Sequence, residues 1–175
     1  MDMQKKASQV LWFFGPSRAG KGTLILNILN IKDDMPEKLL KWLRIDDYSL
    51  RVSHMGFCKP GARRGLVDEV CDQMKDASNV ALLVKGQLQD LDDNRPQQVR
   101  EKLRELEHRI VFVWCDLDGL RGRWLHDGLA EPKEGLRQGV RNQLDLVRRL
   151  EKDFEITCID ATTKEYQIRE RLPDG

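Results

Sequence analysis

Residues Gly15 to Thr23 read Gly-Pro-Ser-Arg-Ala-Gly-Lys-Gly-Thr and follow the apolar run Val10-Leu11-Trp12-Phe13-Phe14. A glycine-rich turn between an apolar strand and a helix is a place to hold phosphate. The first backbone N–H groups of the helix and its dipole attract the anion, and a lysine adds a point charge for the β- and γ-phosphates. Gly15 and Gly20 let the backbone curl around phosphate oxygens without a Cβ in the way. The pattern G-x-x-x-x-G-K is complete. The nucleotide contacts expected from it are Gly15, Ser17, Ala19, Gly20, Lys21, Gly22 and Thr23. Gly22 follows the lysine directly, so the hydroxyl is delayed to Thr23. The apolar residues Leu24, Ile25, Leu26, Ile28 and Leu29 continue the helix and argue against a chance glycine-rich turn.

Phosphoryl transfer also needs an oriented nucleophile and a way to order a metal. Magnesium needs a carboxylate or hydroxyl close by. The stretch Asn79–Lys85 is apolar in its middle and reads as a strand buried on both faces. An acid is expected at its tip, where this chain has Lys85, then Gly86 and Gln87. The next acids are Asp90, Asp92 and Asp93. Asp46 and Asp47 are the better candidates. They end a second strand-like element expected to face the same crevice. Asp46 is assigned the metal and the acceptor proton, and Asp47 a substrate contact. The plain alternative is a solvated Asp-Asp turn. Arg51, Arg63 and Arg64 are placed to grip an acceptor phosphate. Arg137 and Arg141 lie one helical turn apart and can face one site. For each arginine the plain alternative is surface charge.

The ending Gly-Lys-Gly-Thr resembles adenylate kinase and its nucleoside monophosphate kinase relatives. The segments Gly135-Leu136-Arg137-Gln138-Gly139-Val140-Arg141 and Ile159-Asp160-Ala161-Thr162 are similar to the C-terminal part of thymidylate kinases. The resemblance implies ATP and Mg²⁺ as cofactors. It also implies a lid over about 119–133, whose arginines, Arg121 and Arg123 with Arg137 and Arg141, close over the nucleotide. An insert over about 48–75 would take the acceptor. Arg44-Ile45-Asp46-Asp47-Tyr48 looks like a segment of phage-type polynucleotide 5′-kinases, where the first Asp is the base. That family's arginine three residues after the first Asp is Ser49 here.

These residues need a framework. The chain has 175 residues, enough for one domain with a real core, spanning 1–175. A net charge of +1 supplies no global field toward nucleic acid or membrane, and a nucleic-acid partner is not favoured. No apolar run approaches a membrane span, and Met1–Lys6 lacks the apolar core of a signal peptide. The four cysteines show no C-x-x-C spacing, and His54 with Cys58 are too few ligands for zinc. A cytoplasmic, reduced monomer or homodimer is expected. Trp12, Trp42, Trp114 and Trp124 read as core or lid packing.

Apolar periodicity then predicts strands over Gln9–Phe14, Asn79–Lys85, His108–Asp116 and Phe154–Ile159, with another ending at Arg44–Asp47. Helices are predicted over Gly20–Asn30, Glu37–Leu43 and Gly65–Met74, after Pro96, and along Leu136, Val140, Leu144, Val147 and Leu150. Residues 48–63 and 119–132 read as irregular. Thr162 and Glu165 suggest a capping box opening a C-terminal helix. The alternation implies an α/β fold, a five-stranded mostly parallel sheet with helices on both faces and a ligand crevice at the C-terminal strand ends. The reading is an ATP-dependent kinase acting on a small acceptor, most simply a nucleotide or nucleoside. A 5′-hydroxyl polynucleotide kinase and a nucleotide-binding module without turnover are the alternatives.

Overall fold

The computed structural model describes residues 7–30, 37–54, 66–85, 101, 104, 106–131 and 135–174. Six strands form one sheet: β1 (Gln9–Phe14), β2 (Ser49–His54), β3 (Val80–Lys85), β4 (Glu107–Trp114), β5 (Glu155–Asp160) and β6 (Gln167–Arg169). Their order is β2-β3-β1-β4-β5-β6. All pairings are parallel except that of β5 with β6. The described helices are α1 (Lys21–Asn30), α2 (Glu37–Trp42), α3 (Leu66–Met74), α4 (Leu117–His126) and α5 (Leu136–Leu150).

The continuous apolar runs go to the centre of the sheet. β1 lies between β3 and β4, and every one of its residues is buried. A strand covered on both faces has no polar face to alternate with, hence Val-Leu-Trp-Phe-Phe. Helix α1 adds Leu24, Ile25 and Ile28 to the core. On α5, Leu136, Val140, Leu144, Val147 and Leu150 are buried at the spacing read from sequence, and Arg137 and Arg141 stay exposed.

Three expectations are corrected. The second strand does not end at Asp46-Asp47; it begins after them, at Ser49. Arg44 turns left-handed (φ 55°) and closes α2, and its carbonyl accepts from Gln9 Nε2 at the start of β1. The pair therefore sits in a turn at the N-terminal edge of the sheet. Next, the basic stretch after β4 is a helix along most of its length. Asp116 caps α4 by accepting from the Gly119 amide at 2.7 Å, and Leu120 buries into the core. Lastly, no helix follows Thr162 within the described residues. The Thr162 amide and hydroxyl both donate to Asp160 Oδ1, which removes the cap, and Tyr166 adopts φ 49°. The chain turns there and adds β6, a sixth strand, antiparallel to β5. The helix expected after Pro96 falls almost wholly outside the described residues.

Candidate functional site

The glycine-rich loop leaves the C-terminal end of β1 and enters α1. A Cβ on Gly15 would stand 2.2 Å from the Val113 carbonyl oxygen, so the loop begins in contact with β4 and tolerates no side chain there. The loop then turns through Arg18 at φ 70° and Gly20 at φ 102°. The first intrahelical bond of α1 runs from Leu24 N to the Gly20 carbonyl, so the amides just before Leu24 are the free donors of a helix start. Ser17 and Thr23 are exposed beside them, and Ala19 is buried.

Lys21 Nζ donates to the Gly15 carbonyl at 2.6 Å and to that of Pro16 at 3.1 Å. Its ammonium is folded onto the loop's own backbone. Burial, with the Lys85 ammonium as the second cause, lowers its pKa from 10.5 to about 8. Lys85 ends β3 next to the loop. Its Nζ is 3.2 Å from the place a Cβ on Gly22 would occupy. Two lysines therefore converge on the start of α1.

Arg123 performs a task that sequence reasoning did not assign. Its Nη1 donates to the carbonyls of Arg18 (3.0 Å) and Ala19 (2.8 Å), and its Nη2 donates to that of Ala161 (2.5 Å). It bolts α4 and the end of β5 to the loop backbone. An arginine arriving only on lid closure is not what the structure has. The signal that could have pointed to this brace is the demand of the loop's own carbonyls for donors.

Two carboxylates lie at the loop's edge of the sheet. Asp116 caps α4, and its amide donates to the Thr162 hydroxyl. Asp160, at the end of β5, accepts from Arg169 Nε (2.9 Å) and Nη2 (2.7 Å) and from Thr162. Burial pushes the Asp160 carboxyl up, but the bonds from Thr162 and Arg169 outweigh it and hold the pKa below the ordinary value.

The remaining candidates are not gathered there. Asp46 and Asp47 are exposed at the opposite edge, separated from Gly15 by the length of β1, about 20 Å at roughly 3.3 Å per residue. They cannot touch a phosphate on Lys21, and the segment resembling polynucleotide kinases loses its base with them. Arg51 lies exposed on β2 and reaches toward the Gln73 carbonyl. Arg121 is exposed and pairs with Glu131 at 3.6 Å. Arg137 is in the first turn of α5, and Arg141 one turn further on. Arg63, Arg64, Cys58 and the acids Asp90, Asp92 and Asp93 fall outside the described residues.

No cluster of three His, Cys, Asp or Glu able to hold a metal occurs among the described residues. The oxygen donors the loop itself offers a nucleotide-bound Mg²⁺ are the exposed hydroxyls of Ser17 and Thr23.

A scan against protein-family models and a search of curated protein sequences each found no match. Among solved structures, the chain is similar to a sugar kinase from Janibacter sp. HTCC2649. That match has 14% identity and a TM-score of 0.49, covering 90% of this chain and 88% of the other. It is also similar to the YorR protein of Bacillus subtilis in complex with phosphorylated GDP. There the identity is 15% and the TM-score 0.46, with 86% and 85% of the two chains covered. For shikimate kinase from Acinetobacter baumannii the values are 15% and 0.38, with 84% and 80% covered. By its own strand order and the loop between β1 and α1, the chain has a P-loop NTPase fold.

Proposed function

We propose that the protein binds the polyphosphate of ATP on the Gly15–Thr23 loop and transfers the γ-phosphoryl group to a small acceptor, a nucleotide or nucleoside. The observation that carries this reading is the convergence of Lys21, Lys85 and the α1 amides on one loop. The amides preceding Leu24 take the phosphate oxygens. Lys21 exchanges its two backbone carbonyls for the β- and γ-phosphates. Lys85 supplies a second positive charge where charge develops on the transferring group. Arg123 keeps the loop in its phosphate-ready shape, and Asp116 is the exposed carboxylate at the loop's edge available to an acceptor hydroxyl.

The test is nucleotide titration and an ADP-release assay against nucleosides, nucleotides and small hydroxyl metabolites. Lys21→Ala should weaken ATP by roughly 30- to 150-fold, the equivalent of about 2–3 kcal/mol for a charge-assisted contact. Unchanged affinity and unchanged turnover in that variant would refute the assignment.

One observation favours a second reading, a nucleotide-binding module without turnover. Lys85 holds the β3 tip, and the acid chosen from sequence, Asp46, is on the far edge. Tight ATP binding with no acceptor-dependent ADP release identifies that outcome.

A further inference from the structure

At the N-terminal edge of the sheet, away from the phosphate loop, a cavity of about 350 Å³ is lined by Trp42, Arg44, Arg109, Glu155, Thr157 and Arg169, with Ile156 and Glu170 beside them. Arg109 is near the start of β4, in register with Glu155 on β5 and Leu11 on β1. Only 4% of its surface is exposed. Its Nε and Nη2 are buried and have no hydrogen-bond partner among the described residues.

The neighbouring charges are otherwise committed. Arg44 Nη2 pairs with Glu155 Oε1 at 2.7 Å. Arg169 spends Nε and Nη2 on Asp160. Glu170 is exposed at the rim. That leaves Arg109 as a buried cation without a bonded carboxylate. Burial, then Arg44, lowers its pKa to about 10, with Glu155, Glu107 and Tyr48 opposing. A buried donor without an acceptor is costly, and one in a native cavity calls for an occupant. The two free nitrogens form one edge of the guanidinium, the edge that takes both oxygens of a carboxylate or phosphate side by side. Trp42, 40% exposed, lines the same cavity and brings a flat apolar ring to it.

We infer that this cavity is a second ligand site, taking a small oxyanion in bidentate contact with Arg109 and a flat apolar group against Trp42. It is independent of nucleotide binding at the loop, and the test separates the two.

Benzoate and inorganic phosphate are titrated into the Lys21→Ala variant, so that loop binding does not contribute, and followed by thermal shift and calorimetry. Both anions should bind, benzoate more tightly, and Trp42→Ala should remove the advantage of benzoate over phosphate. Arg109→Gln should weaken both by at least about 10-fold, the scale of a charge-assisted contact, and leave ATP binding in the otherwise parent chain unchanged. Should Arg109→Gln not fold, Arg44→Gln at the exposed rim decides. Freed from Arg44, Glu155 turns to its register partner Arg109 and competes with the anion, so affinity falls by a similar factor. No binding of either anion, or binding unaffected by Arg109→Gln and Arg44→Gln, overturns the inference and leaves water as the occupant.

Discussion

Lys85 and Gly22 share one volume: the lysine Nζ stands 3.2 Å from where a Cβ at position 22 would lie. The glycine that departs from the usual Gly-Lys-Ser/Thr ending and the lysine at the β3 tip are thus one feature. The small residue opens the space that the ammonium enters. A Cβ at position 22 meets only the end of a flexible side chain, whereas one at position 15 meets a backbone carbonyl at 2.2 Å. Gly22→Ala should therefore fold and gain about 0.5–1 kcal/mol from helix propensity as Lys85 moves aside. Gly15→Ala should lose about 2–3 kcal/mol or fail to fold. Urea unfolding of the two variants checks the contrast.

Lys85 adds charge to the start of α1 and depresses its neighbour Lys21. Lys85→Met should raise the Lys21 pKa above its present value of about 8 while weakening ATP by about 10-fold, near 1.4 kcal/mol. Calorimetric ATP titration in EDTA reads the affinity without metal. An affinity unchanged by the substitution would remove Lys85 from the site.

The lowered Lys21 pKa has a defined sign. Between about pH 8 and 10.5 the unfolded chain holds the lysine proton that the folded chain has released. The contribution to stability is fully present above pH 10.5 and is lost as pH falls through about 8. Bound polyphosphate favours the ammonium and reverses the shift. ATP binding at pH 8–9 should take up protons, and calorimetry in buffers of different ionisation enthalpy measures the number. Lys21→Ala should abolish most of the uptake.

Arg123 stitches Arg18, Ala19 and Ala161 through their carbonyls. Arg123→Gln should cost about 2 kcal/mol of stability. It should also lower ATP affinity, because the left-handed turn at Arg18 loses its support. Denaturant unfolding and ATP titration on the same variant test both parts. A stable variant with normal affinity would show that the loop holds its shape alone.

Asp46 is exposed at the edge away from the loop. Asp46→Asn should leave ATP affinity and any turnover within about twofold and stability within about 0.5 kcal/mol, as for an ordinary surface change. Asp116→Asn is the informative partner in the ADP-release assay. A large loss of turnover from Asp46→Asn alone would place the acceptor on the wrong edge in the reading above.

Local pattern determined the elements with strong periodicity. Val10–Phe14, Ala81–Val84 and the stripe from Leu136 to Leu150 announce themselves, because burial on both faces or along one stripe dictates residue type at each step. The loop motif was equally legible, since curling around phosphate constrains a few consecutive residues. Arg44–Tyr48 was not. Four polar residues around Ile45 have no period, and whether they end one strand or precede the next depends on where α2 stops. Thr162 and Glu165 matched a helix start by spacing, but Asp160 and Arg169, nine residues apart in sequence, claimed that segment for β6. The meeting of Arg123 with the loop backbone and of Lys85 with Gly22, like the isolation of Arg109, arises from contacts more than 60 residues apart or from the lack of a contact. Sequence spacing encodes none of these distances. Only the packed sheet, which brings strand ends from four parts of the chain to one edge, decides which charged side chains find partners.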